Sequence, residues 1–307
     1  MKKILIGSPC YNEEAVLNQF KFEVDKVISS IPDIKFDYLF VDDGSTDSTI
    51  SILKEMNVEN PNVHFISFSR NFGKEAGMKA IFDYAKYNEY DALIMLDSDL
   101  QDNPAIIPQL IQCWKAGYDH IYTQHKNRKG QSLIKKICSK MFYKIYSKLT
   151  GFKNIKNGAR DFALYDKKVI EAYANYPLQE RFSKGISSFV GFNKCCVVFD
   201  YQRRIAGKTK WSLKKLFKYA VLGFNSFSNW LKLFPKFLCL LFSSLCLFDI
   251  VWSGLHTGWS KIWFNTNIRI DILAIAICIL TSVVISLGYQ IKSHAENKPL
   301  YLIKEEK

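Results

Sequence analysis

Several common chemistries lack their residues in this chain. Its eight cysteines, Cys10, Cys113, Cys138, Cys195, Cys196, Cys239, Cys246 and Cys278, form no Cys-x-x-Cys pair, and the five histidines do not cluster with them. A structural zinc site or a dithiol redox motif needs such spacings. The thiols therefore read as reduced, mostly buried residues of a cytosol-facing protein. There is no Gly-x-Gly-x-x-Gly and no complete Gly-x-x-x-x-Gly-Lys-Ser/Thr, which disfavours a dinucleotide fold and a P-loop. The apolar run after Lys2 and Lys3 ends by Gly7, too short for a signal peptide. Acidic residues are in deficit: 29 stand against 42 basic ones, a net charge of +13 over 307 residues. That excess suits a phosphate-bearing partner, an anionic membrane surface or nucleic acid. The length allows one large domain or two ordinary ones.

The acids that are present gather at a few places. Ala92 to Leu96 is a short apolar run of the kind that forms a buried strand, and it leads straight into Asp97-Ser98-Asp99. In an extended chain residues i and i+2 project the same way, so Asp97 and Asp99 are expected to leave the strand end together. The carboxyl edge of an open α/β sheet is where ligands bind. Two carboxylates there suit Mg²⁺ or Mn²⁺, which takes one or two carboxylates plus waters and substrate phosphates. The plain alternative is an acidic surface turn.

Around this stretch, strands and helices alternate from Met1 to about Tyr122. Ile4 to Ile6 reads as a first strand, followed by a helix from about Glu14 to Ser29. Tyr38 to Val41 is a second strand, stopped by Asp42-Asp43-Gly44-Ser45, with Thr46 or Asp47 capping the next helix. Val63 to Phe68 is a third strand, with a helix from Glu75 to Tyr87, and Pro104 opens another helix to about Lys115. Such alternation predicts a parallel sheet covered on both faces. Pro9 to Glu14, Asp42 to Asp47 and Asp97 to Asp99 each follow a predicted strand, so the three polar clusters meet at one sheet edge. Singly, each is ordinary turn and cap chemistry.

The set Pro9-x-x-Asn12-Glu13, Asp42-Asp43-Gly44-Ser45, Ser69-Arg70-Asn71-Phe72-Gly73-Lys74 and Asp97-x-Asp99-Leu100-Gln101 resembles the family 2 glycosyltransferases. More closely it is similar to the polyprenyl-phosphate glycosyltransferases, which include bactoprenol glucosyltransferases and dolichol-phosphate mannose synthase. The resemblance covers roughly residues 3–215. It implies an α/β class: a GT-A (Rossmann-like) mixed-sheet domain with C-terminal transmembrane helices. It also implies inverting transfer of one sugar from a nucleotide sugar to a lipid phosphate, with Mg²⁺ or Mn²⁺ as cofactor. By the same resemblance Pro9, Tyr11, Glu13, Val41, Asp42, Lys74, Asp97 and Ser98 bind the nucleotide sugar, and Asp99 and Gln101 hold the metal.

The acceptor side falls in the second half. Leu133, Ile137, Met141, Ile145 and Leu149 recur every four residues among lysines. This is a basic amphipathic helix that suits a membrane surface or, alternatively, covers the soluble core. Lys135 and Ser139 resemble the family's pair for the acceptor phosphate. Where relatives often have Arg after the fifth strand this chain has His125, and Arg128 stands in for it. Gly158-Ala159-Arg160-Asp161-Phe162 resembles the Gly-x-x-Asp-Phe element, whose Asp has been proposed as the base. Lys184 is assigned to phosphate binding, on the donor or the acceptor side. Arg203 to Trp211 resembles the Arg-x-x-Gly-x-Ser-Lys loop with Thr209 for Ser, and places Arg204 and Lys210 on the acceptor phosphate. A solvated cationic loop is the alternative there.

The chemistry of the acceptor bears on Asp161. A lipid monophosphate has a second pKa of about 6, so it is mostly dianionic at neutral pH and already nucleophilic. Asp161 is therefore expected to orient or screen rather than deprotonate.

Phe234–Gly254 and Ile272–Ile291 are each long enough to cross a bilayer core of about 30 Å. Asp249, inside the first, is expected to face the partner helix or the interface. Lys and Arg crowd the flanks, while the connection holds only Lys261 and Arg269. The positive-inside rule then puts both termini and the catalytic domain in the cytoplasm. The expected layout is a catalytic domain over 1–212, a juxtamembrane segment over 213–230, a membrane part over 231–292 and a tail over 293–307. The expected setting is the cytoplasmic (inner) membrane, multi-pass.

The expected reaction is UDP-glucose plus undecaprenyl phosphate giving lipid-linked glucose and UDP. Transfer of GlcNAc or mannose stays open, as does a homo-oligomer; nucleic acid is not an expected partner. A processive synthase needs Gln-x-x-Arg-Trp and more spans. A non-catalytic basic membrane scaffold is the alternative from a different class.

Overall fold

The computed structural model describes residues 1–126, 141, 144–148, 150–151, 159–176, 183–200, 223, 230–257, 266–295 and 303–306. Among them the chain forms two compact units, Met1–Ser226 with Pro299–Lys307, and Phe227–Lys298.

The first unit is built on one eight-stranded sheet. Its strands are β1 (Lys2–Cys10), β2 (Ile34–Asp42), β3 (Val63–Phe68), β4 (Ala92–Met95), β5 (His120–His125), β6 (Ala159–Asp166), β7 (Lys194–Phe199) and β8 (Ile303–Glu306). The spatial order is β7-β5-β6-β4-β1-β2-β3-β8. Four neighbouring strands, β4, β1, β2 and β3, run parallel, so their carboxyl ends share an edge. β6 runs antiparallel to β4 and β5, and β8 antiparallel to β3. β5 and β7 form a second parallel pair, so the sheet is mixed, with its longest parallel run in the alternating N-terminal stretch.

The helices follow from apolar periodicity. In α1 (Leu17–Ile28), Leu17, Phe20 and Val24 are buried at helical spacing. Together with α2 (Thr49–Glu59) and α4 (Ile107–Lys115) they pack on Ile4, Ile6, Phe40, Phe65 and Ile94. The alternate strand residues face the other side of the sheet, where α3 (Lys74–Tyr87) lies against β1. The approach is close: a Cβ on Gly77 would stand 3.2 Å from the Pro9 Cβ. Two starts differ from expectation. Ser48, not Thr46 or Asp47, is the residue before α2, although Asp47 does accept the Thr49 N–H at 3.0 Å. Pro104 opens a single 3₁₀ turn, Pro104–Ile106, whose Ala105 N–H is capped by the Asn103 side chain, and α4 follows.

β6 continues into α5 (Lys167–Ala174), and α6 (Ser183–Val190) leads to β7. Burial, helped by the Lys194 charge, pushes the His120 imidazole down to about 3. Its ring stacks on Tyr165 at 4.7 Å. The sign follows from linkage: between pH 6.5 and about 3 the unfolded chain takes a proton that the folded chain refuses. Stability is thus expected to fall as pH drops through that window, by a few kcal/mol at full shift given about 1.4 kcal/mol per pKa unit. Denaturant titrations of wild type and His120→Gln across this range check it. The variant should lose stability less steeply above pH 4, and equal slopes would refute the assignment.

The second unit holds α7 (Trp230–Thr257) and α8 (Thr266–Ala295). Phe237–His256 is long and apolar enough to cross a membrane, and Ile272–Gly288 is a shorter apolar stretch. The two helices touch each other, the Cys239 thiol donating to the Cys278 carbonyl at 3.0 Å. Asp249 is exposed on α7.

Candidate active site

The site is assembled from loops at the shared carboxyl edge. β1 and β2 end in register, with Pro9 opposite Val41 and Cys10 opposite Asp42. The loops beyond them are laced together. The Asn12 N–H donates to Ser45 Oγ, and Asn12 Oδ1 accepts the Thr46 N–H, both at 2.9 Å. The Glu13 N–H donates to Thr49 Oγ1, also at 2.9 Å. Asn12 sits at φ 52, a left-handed conformation that asparagine tolerates.

Asp42 and Asp43 have different jobs. Buried Asp42 accepts the Ser67 hydroxyl at 2.8 Å and the Ser45 N–H at 3.1 Å. Asp43 accepts the N–H groups of Phe72 (2.6 Å) and Gly73 (2.9 Å), fixing the loop before α3. Burial raises the Asp43 carboxyl above the usual range, with the two N–H bonds opposing it. Gly44 makes this crossing possible: its φ is +68, and a Cβ there would meet the Arg70 backbone at 2.5 Å.

After Met95 the chain turns instead of continuing extended, with Leu100 at φ 55. The expectation that Asp97 and Asp99 project together from a strand is replaced by a tight acidic turn. Its residues divide the work. Asp99, buried to 9% exposure, accepts the Gln101 N–H at 3.1 Å. Ser98 is buried beside Cys10, whose thiol burial holds well above its ordinary pKa, the Ser98 hydrogen bond opposing. Asp97 accepts the Lys74 ammonium at 2.7 Å, and the same ammonium meets Asp161 at 2.6 Å. Burial opposes the Lys74 charge, yet the pull of Asp161 and Asp97 outweighs it and lifts its pKa above the lysine value. Asp97 is pushed upward, by burial first; Lys74 opposes that rise and Asp161 adds to it. Two carboxylates share one cation.

Sequence reasoning missed the neighbouring cluster. Asp102, 1% exposed, takes a two-pronged hydrogen bond from Arg160, Nε at 3.0 Å and Nη2 at 3.2 Å. His125 lies buried with Nε2 3.5 Å from Asp102. The adjacency of Asp102 to Gln101 and of Arg160 to Asp161 was the only available signal.

Of the residues assigned from the sequence, Pro9, Tyr11, Glu13, Val41, Asp42, Asp97, Ser98, Asp99 and Gln101 lie on the strand ends and loops of this edge, Lys74 opens α3, and Asp161 lies on β6 beside it. Arg128, Lys135, Ser139, Arg204 and Lys210 lie outside the described residues, and Lys184 is the second residue of α6.

Among the described residues no group of three or more His, Cys, Asp or Glu could hold a metal ion. A closed protein cage for a metal is therefore not formed by them. The donor set fits a different kind of site: Mg²⁺ or Mn²⁺ bound by one or two carboxylates, here Asp99 first, and completed by diphosphate oxygens and water.

The family model for glycosyl transferase family 2 matches residues 6–174, more than half of the chain. The chain belongs to glycosyltransferase family 2. This family 2 enzyme is 34% identical to the uncharacterized glycosyltransferase YkcC of Bacillus subtilis (strain 168), over 97% of this chain and 92% of that one. It is 32% identical to the prophage bactoprenol glucosyl transferase homolog of Escherichia coli (strain K12), over 99% of each chain. The bactoprenol glucosyl transferase of Shigella phage SfV is 31% identical, again over 99% of each. A solved structure of Mycobacterium tuberculosis glucosyl-3-phosphoglycerate synthase, with Mn²⁺, UDP and its glucosylated product, superposes with a TM-score of 0.51. That match covers 72% of this chain and 76% of the other at 14% identity, and it shows the fold: a GT-A-like mixed α/β domain. The activity class is glycosyl transfer.

Proposed function

We propose that this glycosyltransferase is membrane-bound and moves one glucose, with inversion, from UDP-glucose to undecaprenyl phosphate. The observation that carries this reading is the union, in one chain, of an acidic carboxyl-edge site with an apolar helix pair. Relatives named bactoprenol glucosyl transferases align along 99% of that chain, helices included.

In the reaction an acceptor phosphate oxygen bonds to the sugar C1 as the C1–oxygen bond to the diphosphate breaks, and UDP leaves with the electron pair. Asp99 and Gln101 would hold Mg²⁺ or Mn²⁺, which when bound supplies charge neutralisation for the leaving diphosphate. Pro9, Tyr11, Glu13, Val41 and Asp42 line the nucleotide wall, whose shape the Asn12 and Asp43 hydrogen bonds fix. Arg128, Lys135, Ser139, Lys184, Arg204 and Lys210 are assigned to the acceptor phosphate, where cationic donors offset its charge. Asp161, held 2.6 Å from the Lys74 ammonium, is poorly disposed to take a proton. Its role is to orient, since the dianionic acceptor needs no deprotonation.

The topology reading has its own support. The chain leaves the first unit before Phe227 and rejoins the same sheet through β8. A segment that starts and ends on one side crosses a membrane an even number of times, so α7 and α8 would form a two-span hairpin with the catalytic unit in the cytoplasm. Labelling from outside the cell of a cysteine placed at Thr266, but not of one at Lys126, is the expected outcome; the reverse would overturn the orientation.

The decisive experiment offers purified protein and undecaprenyl phosphate a panel of nucleotide sugars and weighs the lipid product by mass spectrometry. A hexose adduct from UDP-glucose alone is expected. Adducts from UDP-GlcNAc or GDP-mannose instead would reassign the sugar, and none with any donor would sink the acceptor.

A further inference from the structure

β6 is irregular where it passes the acidic turn. Tyr122 of β5 pairs with Ala163, but Gln124 pairs with Ala159, so the single residue Thr123 of β5 lies opposite three of β6. The three are Arg160, Asp161 and Phe162, two more than a regular ladder holds, and the bulge they form is pinned on one side by the Thr123 hydroxyl donating to the Phe162 carbonyl at 2.8 Å. Bulges of this kind re-aim side chains beside active sites. Here both re-aimed charges meet the turn after β4. Asp161 reaches Asp97 through Lys74, and Arg160 reaches Asp102 directly. The turn is thus tied to β6 at its first residue and again five residues on.

The two ties differ in kind. Lys74 is a single ammonium between two half-buried carboxylates. The Arg160–Asp102 contact is a planar fork closed on a carboxylate that is 1% exposed, with the His125 ring behind it. A planar fork fixes orientation as well as distance. Between the two anchors of the turn lies Asp99.

We propose that Asp102 and Arg160 are positioning residues: their fork locks the Asp97–Asp102 turn onto the bulge of β6 and so sets Asp99 and Asp161 at working separation. The proposal rests on the transfer reaction assigned above. Neither residue needs to touch a substrate. Asp99 serves the departing diphosphate and Asp161 the incoming phosphate, so the fork fixes the spacing of the two halves of the reaction.

The test uses full-length protein in lipid nanodiscs, with Arg160→Gln, Arg160→Lys, Asp102→Asn and the double variant Arg160→Gln/Asp102→Asn. Three quantities are read: kcat, the KM for undecaprenyl phosphate, and UDP affinity by calorimetry with Mn²⁺ present and absent. Outer residues that orient metal ligands typically matter by about 10- to 100-fold. Each single variant should therefore lose about that much in kcat and in the Mn²⁺-dependent part of UDP affinity, while the lipid KM stays put. Arg160→Lys should recover only part, since it returns the charge without the fork. The double variant should be no worse than the poorer single one, as expected for residues acting as a unit.

A kcat and Mn²⁺-dependent UDP affinity within about twofold of wild type in Arg160→Gln would overturn the proposal, because a factor of that size is far below the effect of orienting residues. So would a rise in lipid KM at constant kcat, which would make Arg160 an acceptor ligand. Should wild type bind UDP and transfer nothing to the lipid, the acceptor reading fails instead. The Mn²⁺-dependent UDP arm still judges the fork in that case.

Discussion

Asp99→Asn is expected to cut sugar transfer by at least a hundredfold while leaving the fold intact. Asparagine matches aspartate in shape, and its oxygen can still accept the Gln101 N–H that Asp99 accepts at 3.1 Å. The turn should therefore survive. What disappears is a negative charge at the position assigned to Mg²⁺ or Mn²⁺. A metal that stabilises a leaving diphosphate contributes several kcal/mol, and each 1.36 kcal/mol is about tenfold in rate, so a loss of roughly 10²- to 10⁴-fold follows. Initial rates at saturating UDP-glucose and lipid phosphate measure it, with circular dichroism as the control for folding. Retention of more than a tenth of the activity, or full wild-type activity in excess EDTA, would remove Asp99 from the metal site.

The parts of this site that were legible in the sequence are those carried by one local stretch. The apolar runs before Pro9, Asp42 and Asp97 announce β1, β2 and β4, and alternation with helices predicts that those strands are parallel. Their ends then had to coincide. What could not be read is pairing across the chain. Arg160 and Asp102 are 58 residues apart and Lys74 and Asp161 are 87 apart, and no periodicity links them. Asp43 looked like turn chemistry because its partners are backbone N–H groups of Phe72 and Gly73, which leave no trace in residue type. The tail strand was invisible for another reason. In Ile303-Lys304-Glu305-Glu306 only Ile303 favours a strand, and the segment is one because the edge of β3 offers it backbone partners. The turn at Ser98 to Leu100 defeated the two-residue alternation because the strand ends at Met95, before either carboxylate.

Lys74→Gln should be the variant that separates the two readings of Asp161. In wild type the ammonium lies 2.7 Å from Asp97 and 2.6 Å from Asp161, with the three side chains 23–30% exposed. Removing one partner of a buried ion pair costs about 3–5 kcal/mol, and partial exposure places this case at or below the lower end. The larger consequence is electrostatic. Without the cation two carboxylates face each other, and like charges at such range drive one of them to keep a proton. The sign follows. A carboxyl whose folded pKa is raised above its unfolded value destabilises the ionised fold, and that penalty is relieved as pH falls through the raised pKa. The stability gap between wild type and Lys74→Gln should therefore narrow from pH 8 to pH 5, while Lys74→Arg, which keeps the charge, should show a small gap throughout. A gap independent of pH would show that Lys74 is not the counter-ion of the pair. The rates then decide the chemistry. Freed of the ammonium, Asp161 gains proton affinity, so a base-limited enzyme would speed up above the raised pKa. If the dianionic acceptor is the nucleophile unaided, the added repulsion and the slackened turn can only slow transfer. A fall in kcat at every pH, deepest at the alkaline end where both carboxylates are charged, is the outcome that an orienting Asp161 requires.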